Sequence, residues 1–142
     1  MILLIALLIV NVIIFINTKE DTRFLEVKEK YRILREHLID TGNEDFKMLH
    51  RPIPIIAHSR MENAVGYNSN KGTEIGICID GDVNEIFHVL LHELAHCTVE
   101  EYSHSKHFWG QFDKLRDIAI SLGIYEKITE RTSFCGKHVM DK

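Results

Sequence analysis

HVLLHELAHCTVEEYSHSKHFW, residues 88 to 109, is the stretch on which the reading of this chain turns. It holds His-Glu-Leu-Ala-His at positions 92 to 96, then two further histidines, His104 and His107. On an α-helix, residues four apart share a face, so His92 and His96 can offer two imidazoles to one ion. Glu93, beside the first histidine, then stands next to the open coordination position and can take a proton from zinc-bound water. Zinc lowers the pKa of such a water to about 7, which supplies a nucleophile for a peptide carbonyl at neutral pH. The five-residue pattern also arises by chance in unrelated chains. Here Val89-Leu-Leu precedes it and Leu94-Ala95 lies inside it, the apolar spacing of a packed helix.

A catalytic zinc takes three protein ligands and keeps one position open. Tyr102 occupies the place where the metzincin spacing puts a histidine, which excludes that class. His104 and His107 are the near candidates for the third ligand, while Glu126 and Glu130 lie farther on without a supporting pattern. His88 shares a helix face with His92 and His96 but is followed by Val89 where a base would be needed, so it reads as a supporting or surface residue. Cys97 projects about 100° round the helix from His96 and reads as packing.

Outward from the site, Asp82-Val-Asn-Glu85 resembles an N-cap with an acidic residue three positions on and opens a helix running to about Thr98. Upstream, AVGYNSNKGTEIGICID predicts a hairpin: a short strand around Val65 to Tyr67, a turn at Asn68 to Gly72, and a strand from Glu74 to Asp80 with Ile75, Ile77 and Ile79 on one face. HRPIPIIAHS, with Pro52 and Pro54, fits an edge strand at most. Phe24, Val27, Tyr31, Leu34 and Leu38 form one apolar stripe that predicts a helix from Thr22 to Ile39, stopped near Gly42. Downstream, Phe108, Phe112, Leu115, Ala119 and Leu122 predict a helix from about Ser105 to Leu122, ended by Gly123. Residues 124–142 show no regular pattern.

The 142 residues suffice for one domain, and a charged fraction of 27% is that of a folded chain. A net charge of −4 gives no footprint for neutralising nucleic-acid phosphates. Cys78, Cys97 and Cys135 are odd in number and form no CxxC pair, which predicts neither a disulfide framework nor a cysteine zinc knuckle and suits a reducing compartment. Fifteen of the first sixteen residues are apolar, with Asn11 the exception. As a helix they extend about 24 Å against a hydrocarbon core of about 30 Å. No basic leader or small-residue cleavage site accompanies them, so residues 1–18 are expected to be an uncleaved single-pass transmembrane anchor and residues 19–142 the domain it carries. Lys19, Arg23, Lys28 and Lys30 follow the segment directly, which by the positive-inside rule puts the domain in the cytosol.

HELAH, a short loop, then His104 with Phe108 four residues on and Trp109 beside it resembles the WLM metalloproteases and their SprT/Spartan-like relatives. VGYNSNKGTEIGICI is similar to the hairpin of WLM proteins, and together the likeness covers about residues 60 to 122. It implies an α+β fold, a minimal zincin-like metalloprotease domain with a small antiparallel sheet or hairpin packed on the HExxH helix and flanking helices. It implies zinc held by His92, His96 and His104, with Glu93 as the catalytic base. The spacing departs from the family habit: seven residues, Cys97 to Ser103, separate the second and third histidines, without the common Gly-Pro, and Ser105 follows where Asp or Gly is usual. His107 therefore stays open as the alternative ligand. The resemblance further implies a protein or peptide substrate added as a strand to a sheet edge, for which Glu74 to Asp80 is the expected edge.

Members of that family are associated with cleavage of proteins crosslinked to DNA, with SUMO or ubiquitin recognition. The acidic balance does not support nucleic acid as a partner here, and 142 residues are not expected to hold appended binding domains. The expectation is a membrane-anchored zinc metallopeptidase acting by Glu-assisted attack of zinc-bound water. The alternatives are a DNA–protein-crosslink-type protease and a catalytically silent, zinc-stabilised scaffold. His107 and Tyr102 are the candidates for stabilising an oxyanion.

Overall fold

A computed structural model describes residues 1–142. Helix α1, Ile2–Asn17, is followed by α2, Thr22–Asp40, whose cap is Asp21: its side chain accepts from the Arg23 amide at 2.8 Å. The predicted stripe of Phe24, Val27, Tyr31, Leu34 and Leu38 is buried along α2, and each such side chain contributes about 1.5–3 kcal/mol relative to exposure. Gly42, at φ 58°, follows α2 in the left-handed conformation expected of it. A short 3₁₀ segment, Glu44–Leu49, adds Phe46 and Leu49 to the same core.

The sheet is mixed, not the antiparallel one expected. Strand β1, Ile55–His58, runs parallel to β3, Glu74–Cys78, and β2, Gly66–Ser69, runs antiparallel to it, giving the order β1-β3-β2. The proline-flanked segment is thus an edge strand, and the Ile75 amide donates to the Pro54 carbonyl at 2.9 Å. This pairing moves β3 to the centre of the sheet. The strand expected to offer its edge to substrate has none free; β2 supplies the edge nearer the site. Ile75, Ile77 and Cys78 are fully buried on β3, and Gly76 is paired with Tyr67, whose ring covers it so closely that a Cβ there would lie 2.1 Å from Cε1.

Helix α3, Val83–His96, packs on β2 and β3 and is flanked by α2 and by α4, Lys106–Ser121. The unpatterned tail forms a second, two-stranded antiparallel sheet, β4 (Thr132–Phe134) and β5 (Lys137–Val139). Its turn is tied to β3 by a disulfide between Cys78 and Cys135. The expectation of no disulfide is therefore corrected. The pairing joins residues 57 apart in sequence, and nothing local announces it.

Helix α1 buries none of its residues, and its apolar side chains are exposed all round. No single helix is long and apolar enough to cross a membrane; α1 and α2 pass that test only as a pair bent by 52°.

Candidate metal centre

The last turn of α3 carries His92 and His96, and the loop between α3 and α4 brings His104 over them. Nε2 of His104 lies 2.9 Å from Nε2 of His92 and 3.1 Å from that of His96, and one ligand atom from each residue falls within 4.8 Å of the others. Three imidazole nitrogens aimed at one point cannot all satisfy one another by hydrogen bonds, because a neutral ring has one donor and one acceptor nitrogen. They form a ligand set suited to zinc. Burial and the neighbouring rings hold His92 neutral, its pKa lowered to about 3, and burial with His104 lowers His96 to about 4. Both offer lone pairs without first losing a proton at neutral pH.

The aromatic floor is set by α4. Ser105 caps it, its hydroxyl accepting from the Phe108 amide at 3.0 Å and donating to the Glu101 carboxylate. The cap stands one residue after His104 and starts the helix at Lys106, so the fully buried Phe108 sits beneath all three rings, with centroids 4.9, 4.3 and 4.8 Å from those of His92, His96 and His104.

Glu93 is buried beside the triad, and burial alone pushes its pKa up to about 7. Gly66 on β2 lies against it: a Cβ at that position would come 2.7 Å from Val89 Cγ1 and 3.0 Å from Glu93 Oε1. The glycine lets the strand approach the carboxyl-bearing face of α3. Triad, Glu93 and β2 open onto one cleft of ≈ 520 Å³, whose opposite wall is the segment from Lys137 to Met140.

Two residues that sequence reasoning did not single out hold this arrangement. Asn68 donates from Nδ2 to the Glu93 carbonyl at 2.8 Å and to Cys97 Sγ at 2.9 Å, while its Oδ1 accepts from the Gly72 amide. Lys71, in the left-handed conformation at φ 51°, sends Nζ to the carbonyls of Val99 at 2.6 Å, Glu101 at 2.8 Å and His96 at 3.3 Å. The hairpin turn thereby fastens both the end of α3 and the loop that carries His104. The signal was present as the Asn68-Ser-Asn-Lys-Gly72 turn, but its partners lie 25 to 30 residues away.

Of the other candidates, His107 turns from the triad toward Glu101, 3.6 Å away, and its side chain is 64% exposed. Neither it nor Glu126 or Glu130 belongs to the ligand cluster. Tyr102 lines the cleft, with Lys71 Nζ 4.4 Å from its ring centre. His88, expected as a supporting or surface residue, is buried and meets the Tyr125 hydroxyl at 2.9 Å through Nδ1.

The sequence matches the WLM domain over residues 57–142, which is more than half the chain. It belongs to the WLM family. Its WLM region begins after α2, so α1 and α2 lie outside the match. Similar chains include the uncharacterized protein 136R of Invertebrate iridescent virus 6, 41% identical over 77% of this chain and 54% of that one. The uncharacterized protein R325 of Acanthamoeba polyphaga mimivirus is 34% identical over 49% of this chain and 41% of that one. The chain thus spans about half the length of the curated relatives it matches. Among solved structures, Wss1 from Saccharomyces cerevisiae is 23% identical with a TM-score of 0.45, over 55% of this chain and 67% of that one. The metallopeptidase zymogen abylysin of Pyrococcus abyssi is 21% identical with a TM-score of 0.42, over 67% and 97%.

Proposed function

We propose that this WLM protein is a zinc-dependent metallopeptidase tethered to a membrane by residues 1–18, with residues 19–142 as the working domain. The observation that carries the reading is the convergence of the His92, His96 and His104 nitrogens within 4.8 Å at the floor of a cleft that also holds the buried carboxyl of Glu93. These three histidines would hold the ion, and when bound it supplies Lewis acidity toward a carbonyl oxygen and toward water. Glu93 accepts a proton from the attacking water and returns it to the departing amine. Its enclosure beside the ligand set places the carboxyl to do both. The backbone of β2 offers an edge along which an extended peptide can lie, giving affinity through main-chain pairing with little sequence preference.

The anchor reading rests on the exposed apolar surface of α1. The basic residues after α1 favour the cytosolic side, whereas the Cys78–Cys135 disulfide is the chemistry of an oxidising compartment. Protease protection of a C-terminal tag in sealed vesicles decides: digestion from outside the cell or from the lumen overturns the cytosolic placement.

The deciding experiment for the activity compares the zinc-loaded full chain in detergent with its Glu93→Gln variant on an unfolded protein, read by mass spectrometry. Cleavage by the native chain alone is the expected result. Two inert proteins that both retain stoichiometric zinc would instead leave a zinc-stabilised scaffold as the reading.

A further inference from the structure

Behind the metal centre a chain of polar groups runs through the core to His88, one turn of α3 before His92, and the proposed peptidase chemistry does not use it. Asp141, whose side chain is fully enclosed, accepts from the Ile128 amide at 2.8 Å and from the Tyr125 hydroxyl. A phenol has one proton, and here it is directed at the carboxylate. Toward His88, 2.9 Å away, the Tyr125 oxygen can therefore only accept, which places the imidazole proton on Nδ1.

The other ring nitrogen is then a bare acceptor in the neutral ring. Burial favours that neutral form, lowering the pKa of His88, with Asp141 opposing and Arg116 assisting the shift. Nε2 makes no hydrogen bond within the protein, yet it is not shut away: the enclosed polar atoms without a hydrogen bond are His50 Nε2, Glu85 Oε2, Arg116 Nη1 and Asp141 Oδ1. The side chain of His88 is 11% exposed, and His88 lines the cleft together with Glu93 and Gly66. The nitrogen without a hydrogen bond thus belongs to a side chain that borders the space where a substrate backbone would lie.

We propose that His88 is a substrate-binding residue whose Nε2 accepts a hydrogen bond from one backbone N–H of a peptide in the cleft, held in that tautomer by Tyr125 and Asp141. The proposal rests on the peptidase reading of the cleft. Beside the positions paired with β2, it gives the enzyme a main-chain requirement at one further substrate position: proline, which has no N–H, is disfavoured there whatever the side chains around it. An acceptor left facing a non-donor loses about tenfold in affinity.

The test uses the zinc-loaded full chain carrying Glu93→Gln, so that binding is measured apart from cleavage. The probe is an alanine-rich decapeptide, made with amides throughout and as a set in which each amide nitrogen in turn is replaced by ester oxygen. Positions paired with β2 lose affinity in every variant, and one further position should lose about tenfold only while His88 is present. Adding His88→Asn, which keeps a donor for Tyr125 but removes the Nε2 position, should abolish that position-specific loss. His88→Gln, which returns an acceptor to the place of Nε2, should restore part of it. Zinc content is measured in each variant, so a collapsed site is recognised as such. A uniform ester profile, an unchanged profile in His88→Asn, or no peptide binding at all overturns the proposal. Cleavage by the native chain is scored separately: binding without cleavage removes the peptidase and leaves the acceptor, and cleavage with a uniform profile does the reverse.

Discussion

Glu93 is a carboxyl with nothing but burial acting on its proton, and that isolation makes its response to metal predictable. Without metal its pKa lies near 7. A dication beside it favours the ionised form and draws that value down, so at any pH between the two values zinc binding expels one proton. The part of zinc affinity linked to Glu93 should therefore rise with pH by up to about tenfold per unit below pH 7 and level off above it. His92 and His96, already neutral down to about pH 3 and 4, add no slope in that range. Competitive zinc titrations at several pH values check this; Glu93→Gln should lose the slope attributed to Glu93, hold its zinc, and turn over about 10²–10⁴-fold more slowly. Gly66 gives a second residue-scale prediction. In Gly66→Ala the new methyl meets Val89 and Glu93 at 2.7 and 3.0 Å, so the strand or the carboxyl must move. The expected result is a loss of about 1–3 kcal/mol in stability and a lower kcat at unchanged zinc content, measured by urea unfolding and steady-state kinetics.

At the scale of elements, α2, α3 and α4 were legible because each is announced by local spacing: the α2 stripe repeats every three or four residues, and Asp82 and Ser105 stand at the caps of the next two helices. The β2–β3 hairpin was legible from its turn. What stayed hidden are pairings between distant segments. Nothing in Ile55–His58 specifies the parallel partner that makes β3 central, and three-residue strands such as β4 and β5 are too short for a period to show. The His-Glu-Leu-Ala-His segment and His104 carry their spacing in one stretch, whereas the work of Lys71 depends on a fold that brings its turn to the end of α3. A lysine on a hairpin turn ordinarily reads as solvent-facing. Here it gathers three carbonyls that the end of α3 and the following loop leave free. Lys71→Met should keep the hairpin and release the loop, lowering zinc affinity about 10–100-fold with the change mainly in the dissociation rate, as measured by chelator-driven zinc release.

For the whole molecule, two long-range features bracket the domain. The disulfide closes a loop across 57 residues and anchors the hairpin from which Lys137 to Met140 form a wall of the cleft. By chain entropy such a link contributes about 4 kcal/mol, and Cys135→Ser should lower stability by that order while loosening the wall. Urea unfolding of the native chain with and without reductant provides the same comparison without mutation. At the other end, α1 contributes nothing to the core: none of its residues is buried, so removing residues 1–18 should leave melting temperature and zinc content unchanged. It should abolish flotation of the chain with liposomes, since about fifteen apolar side chains then no longer find lipid. The sixteen residues of α1 extend about 24 Å, short of a hydrocarbon core of about 30 Å, so spanning requires Thr18 to Asp21 to enter the interface or the bilayer to thin around the helix. Alkaline carbonate separates the two arrangements. Retention in the membrane is the expected result for a spanning anchor, which fixes the cleft at a short distance from one membrane face; release would mean that α1 lies along the surface, leaving the cleft free to turn with it.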